Sequence, residues 1–111
     1  MRFEIEKQPW GTLVRLNGGM DALHLSVVDE LDAILLLQDT GANVVLDFAH
    51  LTFIDSTGLG RLVNLVNNFR ENNRKLFVAA PGESVLRVLR LARMDQVLSI
   101  TESVESAISQ I

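Results

Sequence analysis

Phe53-Ile54-Asp55-Ser56-Thr57-Gly58-Leu59-Gly60 sets a carboxylate and two hydroxyls between an extended apolar pattern and a helical one. Ahead of it, Val44-Val45-Leu46-Asp47-Phe48 reads as a buried strand. Behind it, Leu59, Leu62, Val63, Val66 and Phe69 recur at the spacing of one helix face. Asp55, Ser56 and Thr57 are therefore expected at a helix N-terminus, where the first backbone N–H groups lack intrahelical partners and the dipole is positive. Such an end accepts side-chain oxygens and phosphoryl groups alike. Two readings follow: a helix cap, for which Ser, Thr and Asp are the favoured residues, and a modifiable switch.

The flanking patterns extend this into a fold. Phe3-Glu4-Ile5-Glu6 and Thr12-Leu13-Val14-Arg15-Leu16 alternate on either side of a tight connection, as a hairpin does. Asn17-Gly18-Gly19 is read as a break, followed by a helix from about Leu23 to Gln38 with Leu25, Val28, Leu31 and Leu35 on its buried face. Gly41 is placed to end it in the left-handed conformation. After the helix that starts near Asp55 and fades near Asn73, Leu76-Phe77-Val78-Ala79-Ala80 is a nearly all-apolar strand, the pattern of a strand covered on both faces. Val85, Leu86, Val88, Leu89 and Ala92 mark a third helix, Val97 to Ile100 a last strand, and Thr101 to Ile111 a terminal helix with capping hydroxyls. The order is ββαβαβαβα. Alternating strands and helices demand parallel crossovers, while the opening pair forms an antiparallel edge. In such sheets, sites lie beyond the carboxyl ends of the parallel strands, and Asp55-Ser56-Thr57 falls at such a place.

Composition narrows the chemistry. A chain of 111 residues is one domain's worth, so a single domain spanning 1–111 is expected. Its apolar stretches fall far short of the roughly 20 residues that span a bilayer, and its start lacks the apolar core of a secretory signal, so a cytoplasmic protein without membrane contact is expected. The absence of cysteine removes disulfides and thiolate chemistry. His24 and His50, the two histidines, form no pair spaced for a metal, and no metal site is expected. A formal net charge of −4 opposes attraction to phosphate backbones, so nucleic acid is a poor partner. Arg87, Arg90 and Arg93 make a local basic stripe best read as a solvated helix face. Trp10 is either an interface anchor or a partly buried core residue.

At these residues the chain resembles the STAS domain, specifically the small bacterial anti-sigma factor antagonists. Val45-Leu46-Asp47, then Leu51, then Phe53 to Gly60 is similar to the family signature, in which an Asp-Ser-Ser/Thr/Ala-Gly-Leu-Gly segment begins the second helix. Leu16-Asn17-Gly18-Gly19-Met20-Asp21 resembles the family's Gly-x-Leu/Ile-Asp segment after the second strand. Element order agrees to about residue 110. The resemblance implies an α/β fold, a STAS-like mixed sheet of about five strands with four flanking helices. It also implies a non-enzymatic partner-switching role in transcription regulation. Ser56 would be the phosphoacceptor of a serine kinase that doubles as an anti-sigma factor. The unphosphorylated form would bind that kinase and release the sigma factor; phosphorylation would block binding, and a serine phosphatase would reverse it. Asp21, Asp55, Ser56, Thr57, Gly58 and Leu59 make up the implied docking surface. The chain itself would need no cofactor, because the kinase supplies ATP and Mg²⁺. Met20, Arg61 and the segment Leu91-Ala92-Arg93-Met94-Asp95 depart from the family pattern. A second role within the family is a subunit of a transport or signalling assembly, docking the same helix face without phosphorylation.

Two other classes fit less well. A response-regulator receiver would use Asp55 but needs an acidic pair for Mg²⁺ and a late lysine, whereas the lysines here are Lys7 and Lys75. A serine hydrolase needs an oriented base beside Ser56, and Asp55-Ser56-Thr57-Gly58 is not the nucleophile elbow G-x-S-x-G.

Overall fold

The computed structural model describes residues 1–37 and 43–111. Strand β1 (Arg2–Gln8) turns through Pro9-Trp10 into β2 (Gly11–Met20), and the two pair antiparallel. Then come α1 (Leu25–Leu36), β3 (Asn43–Ile54), α2 (Ser56–Glu71), β4 (Leu76–Ala79), α3 (Glu83–Leu91), β5 (Ser99–Thr101) and α4 (Val104–Ser109). The sheet order is β1-β2-β3-β4-β5, with β2 to β5 all parallel. The mixed sheet, the antiparallel edge and the ββαβαβαβα order are therefore as the sequence predicts. Gly41 and the C-terminal end of the first predicted helix lie outside the described residues.

The sheet steps in one direction from β2 to β5, and right-handed crossovers taken in one direction leave their helices on one face. The packing agrees. Val14, Leu16, Val44, Leu46 and Val78 point into a large core with Val28, Leu31 and Leu35 of α1, Leu62, Leu65, Val66 and Phe69 of α2, and Val85 and Leu89 of α3. The alternate residues Leu13, Val45, Phe77 and Ala79 face the other way, covered by Ala107 and Val104 of α4 and by Trp10. All four residues of β4 are buried, as its unbroken apolar run requires. Trp10 is half-buried against that second cluster and its carbonyl accepts a hydrogen bond from Asn43, which favours the core reading over an interface anchor.

Several boundaries differ from the sequence reading. Asn17-Gly18-Gly19 does not break the sheet; β2 continues to Met20, paired with a β3 that runs on past Phe48 to Ile54. Local composition hides this because the pairing is irregular, with register shifts between Arg15 and Asn17 and between Gly18 and Gly19, and Gly18 at φ +94°. Irregularity of this kind suits glycine, and only the neighbouring strand makes the segment extended. The first helix begins later than Leu23: Ala22–His24 form a 3-10 turn capped by Asp21 before α1. Met94–Gln96 form another such turn, which delays the last strand to Ser99. Ser103 caps α4 by accepting a hydrogen bond from the Ser106 N–H at 3.0 Å, so that helix starts at Val104 rather than at Thr101.

Helix α2 ends in a Schellman motif. Asn73 takes the left-handed conformation, φ 55°, its N–H bonds to Arg70 O, and the Arg74 N–H bonds to Phe69 O at 2.8 Å. The turn delivers Arg74 to the interior, 6% exposed, where Nη1 donates to Leu35 O at 2.9 Å and the guanidinium lies 3.9 Å from the centroid of the Phe69 ring. A buried cation thus ties the end of α1 to the end of α2. Arg74→Leu, which keeps the bulk but leaves the Leu35 carbonyl without this donor, is expected to lower stability by about 2 kcal/mol in urea titrations.

Candidate functional site

The site follows from one register. Met20 and Ile54 are paired at the carboxyl ends of β2 and β3, so the residues that follow them, Asp21 and Asp55, emerge side by side. Asp55 has the extended backbone of an N-cap, φ −104° and ψ −176°. Its Oδ1 accepts from the Gly58 N–H at 2.9 Å, closing the first turn of α2. Its Oδ2 accepts from the Ala22 N–H at 3.1 Å, and its own N–H donates to Met20 O at 3.3 Å. One carboxylate therefore staples the loop after β2 to the helix after β3. The Gly58 and Ala22 N–H groups hold its pKa below the ordinary carboxylate value, in that order of weight.

Asp21 is a cap in its own right. Its Oδ1 accepts from the Leu23 N–H at 3.0 Å and lies 2.7 Å from His24 Nδ1. Gly58 is buried beneath this loop, and a Cβ at that position would collide with the Met20 carbonyl. Glycine is required there by close approach: α2 can press against the end of β2 only where no side chain intervenes.

With capping assigned to Asp55, Ser56 is the first residue of α2. It is exposed, and its hydroxyl makes no hydrogen bond among the described residues. Of the other residues read from sequence as the docking surface, Thr57 is half-buried, Gly58 lies under the loop, and Leu59 packs partly against the core. The tertiary structure adds two residues that the sequence reading passed over. Leu23 is 91% exposed on the 3-10 turn and Phe53 is 54% exposed at the end of β3. Both are large apolar residues at the same end of the sheet as Ser56. Phe53 lay inside the quoted motif, but only its side-chain direction distinguishes it from a core residue.

A second charged group borders the site. Arg61, one turn along α2, brings Nε to 3.2 Å from Oδ1 of Asp29 on α1. Beside them, burial pushes the Asp32 carboxyl up to about 6, with Asp29 adding to the rise and Arg61 opposing it. Among the described residues no group of His, Asp and Glu is arranged to hold a metal ion, and no helix is long and apolar enough to cross a membrane. Arg87, Arg90 and Arg93 are all exposed.

The family model for the STAS domain matches residues 2–107. An anti-sigma-B factor antagonist of Staphylococcus aureus is 22% identical over 94 residues, which cover 83% of this chain and 84% of that protein. The Bacillus cell fate determinant SpoIIAA, solved in its phosphorylated form, superposes with a TM-score of 0.71 at 19% identity, covering 98% of each chain. A sulfate transporter family protein from Wolinella succinogenes superposes with a TM-score of 0.80 at 15% identity, covering 95% of this chain and 87% of that one.

Two outcomes test the geometry. Gly58→Ala is expected to cost about 2–3 kcal/mol of stability and to shift the amide resonances of Met20 to Leu23, because the added methyl must push the two loops apart. The raised pKa of Asp32 means that ionising this half-buried group opposes folding. The native chain should therefore lose stability as pH rises from about 4 through 6. Asp32→Asn should remove that loss and be more stable at pH 7 by about 1 kcal/mol, after allowance for solvent screening. Thermal melts across this pH range read the difference.

Proposed function

The chain belongs to the STAS domain family, and from that premise we propose that it is an anti-sigma factor antagonist working by partner switching, with Ser56 as the control point. The observation that carries this reading is the division of labour at the start of α2. Asp55 satisfies the helix end, while the Ser56 hydroxyl beside it is exposed and has no structural bond to lose. An anti-sigma factor serine kinase would transfer the γ-phosphoryl of ATP to Ser56 Oγ; the hydroxyl proton leaves, the β–γ bridging bond breaks and ADP departs. A serine phosphatase would hydrolyse the ester and restore the hydroxyl.

Charge explains why such a step switches binding and spares the fold. Phosphorylation adds about −1.5 to −2 charges at neutral pH. Held at a helix N-terminus, the group gains roughly 0.3–1 kcal/mol from the dipole. A partner packed over Leu23, Ser56 and Phe53 would instead have to desolvate a dianion beside Asp21 and Asp55. Like charges brought together at an interface cost several kcal/mol, and each 1.4 kcal/mol is tenfold in affinity. Leu23 and Phe53 supply the apolar anchors that such a contact needs when the serine is unmodified. The relative named as an anti-sigma-B factor antagonist and the neighbour solved in a phosphorylated form both support this reading.

The likeness to a transporter family protein favours one alternative, in which the same end of the sheet docks within a larger assembly and Ser56 is never modified. The two part on one measurement. Against an anti-sigma factor serine kinase that binds the native chain, Ser56→Ala should bind as tightly as the native protein in calorimetry, and Ser56→Asp at least about tenfold more weakly. Equal affinity for both variants, with no phosphoryl gain in intact mass after incubation with kinase and ATP, would favour the assembly subunit.

A further inference from the structure

Arg61 and Ser56 line one shallow groove of about 470 Å³ along the exposed side of α2. The groove floor between them carries only the half-buried Thr57 and Gly60, where an added Cβ would meet nothing within 4 Å, so no bulky side chain stands beside Ser56 on the Gly60 side. Side chains on a helix lean toward its N-terminus, which directs the Arg61 stem back over the first turn. At present its guanidinium rests on Asp29 at 3.2 Å, with side-chain exposures of 38% and 50%. Ion pairs that open to water hold weakly and exchange readily. On the other side of Ser56 stand two carboxylates, Asp55 and Asp21, which would repel any anion placed between them and the groove.

We propose that Arg61 is the receptor for a phosphoryl group on Ser56: on modification its guanidinium leaves Asp29, pairs with the phosphoryl oxygens across Gly60, and draws the group along α2. The proposal rests on the reading of Ser56 as a phosphoacceptor and specifies what the modified state looks like. A phosphoryl group offers three acceptor oxygens and nearly two charges to the planar guanidinium fork, against one charge on Asp29. The exchange has a consequence on α1. Asp29 and Asp32 lose their shared cation, so the seam between α1 and α2 loosens as Ser56 is modified. Phosphorylation would then act in two ways, by covering the groove beside Ser56 and by releasing a tie between helices.

The test needs no kinase. The full chain is prepared with phosphoserine encoded at position 56, and the second ionisation of the phosphate is followed by phosphorus NMR in low salt and in about 0.5 M salt. The phosphate pKa should be about one pH unit lower in the native background than with Arg61→Gln, the size of shift that an opposite charge in contact produces. Asp29→Asn, which frees the guanidinium, should lower it further. The difference should narrow in high salt, as an ion pair open to water does. Equal phosphate pKa values in the native and Arg61→Gln chains at low salt would overturn the proposal. A kinase that fails to modify Ser56 would count against the preceding functional reading alone, since here the phosphoserine is installed during synthesis.

Discussion

The carboxylate of Asp55 is the joint on which the candidate site depends. It accepts hydrogen bonds from two separate parts of the chain, the first turn of α2 through Gly58 and the loop after β2 through Ala22. Both bonds exist because Met20 and Ile54 end side by side, and because Gly58 lets the helix close onto the Met20 carbonyl. With its oxygens occupied in this way, Asp55 fixes where α2 starts. It also fixes which residue stands first on the helix with a free hydroxyl. An alanine at position 55 would leave helix N–H groups unpaired and the two loops unlinked.

Several properties of the site follow from that joint. Asp21 and Asp55 are held in place by backbone donors, with His24 Nδ1 also against Asp21. Ser56 is thereby bordered by carboxylates toward the strands and by Arg61 along the helix. Leu23 and Phe53 are exposed at this end: Leu23 on the 3-10 turn that the cap at Asp21 starts before α1, and Phe53 as the penultimate residue of β3. This end of the sheet thus carries two carboxylates, an exposed hydroxyl and two exposed apolar side chains on a framework fixed by backbone pairing.

Much of this was legible in residue order. The helix periodicities, the unbroken apolar run of β4 and the alternation of the opening hairpin each reflect burial on a defined face, which is why they survive in the sequence as patterns. The segment Asp55-Ser56-Thr57 was legible for another reason. Capping chemistry is local, so an acid and two hydroxyls ahead of a helical repeat announce a helix start wherever they occur. What the sequence left undivided was the assignment within Asp55-Ser56-Thr57, since any of the three can cap. Asn17-Gly18-Gly19 reads as a break because its own composition argues for a turn, and the strand after Val44 reads as ending at Phe48; both segments are strand because they pair with each other across an irregular register.

By itself, then, the amino-acid order determined the succession of elements, the family, and the helix start at Asp55-Ser56-Thr57. These depend on interactions between residues close in the chain, or on periodic burial that leaves its mark in every turn of a helix. Tertiary structure alone decided that Asp55 spends both oxygens on backbone donors, one of them in the loop after Asp21, that Leu23 and Phe53 face outward, and that Arg61 meets Asp29. Each of those facts joins residues from different elements. Their separation in space is set by strand register and helix packing, which no local pattern encodes.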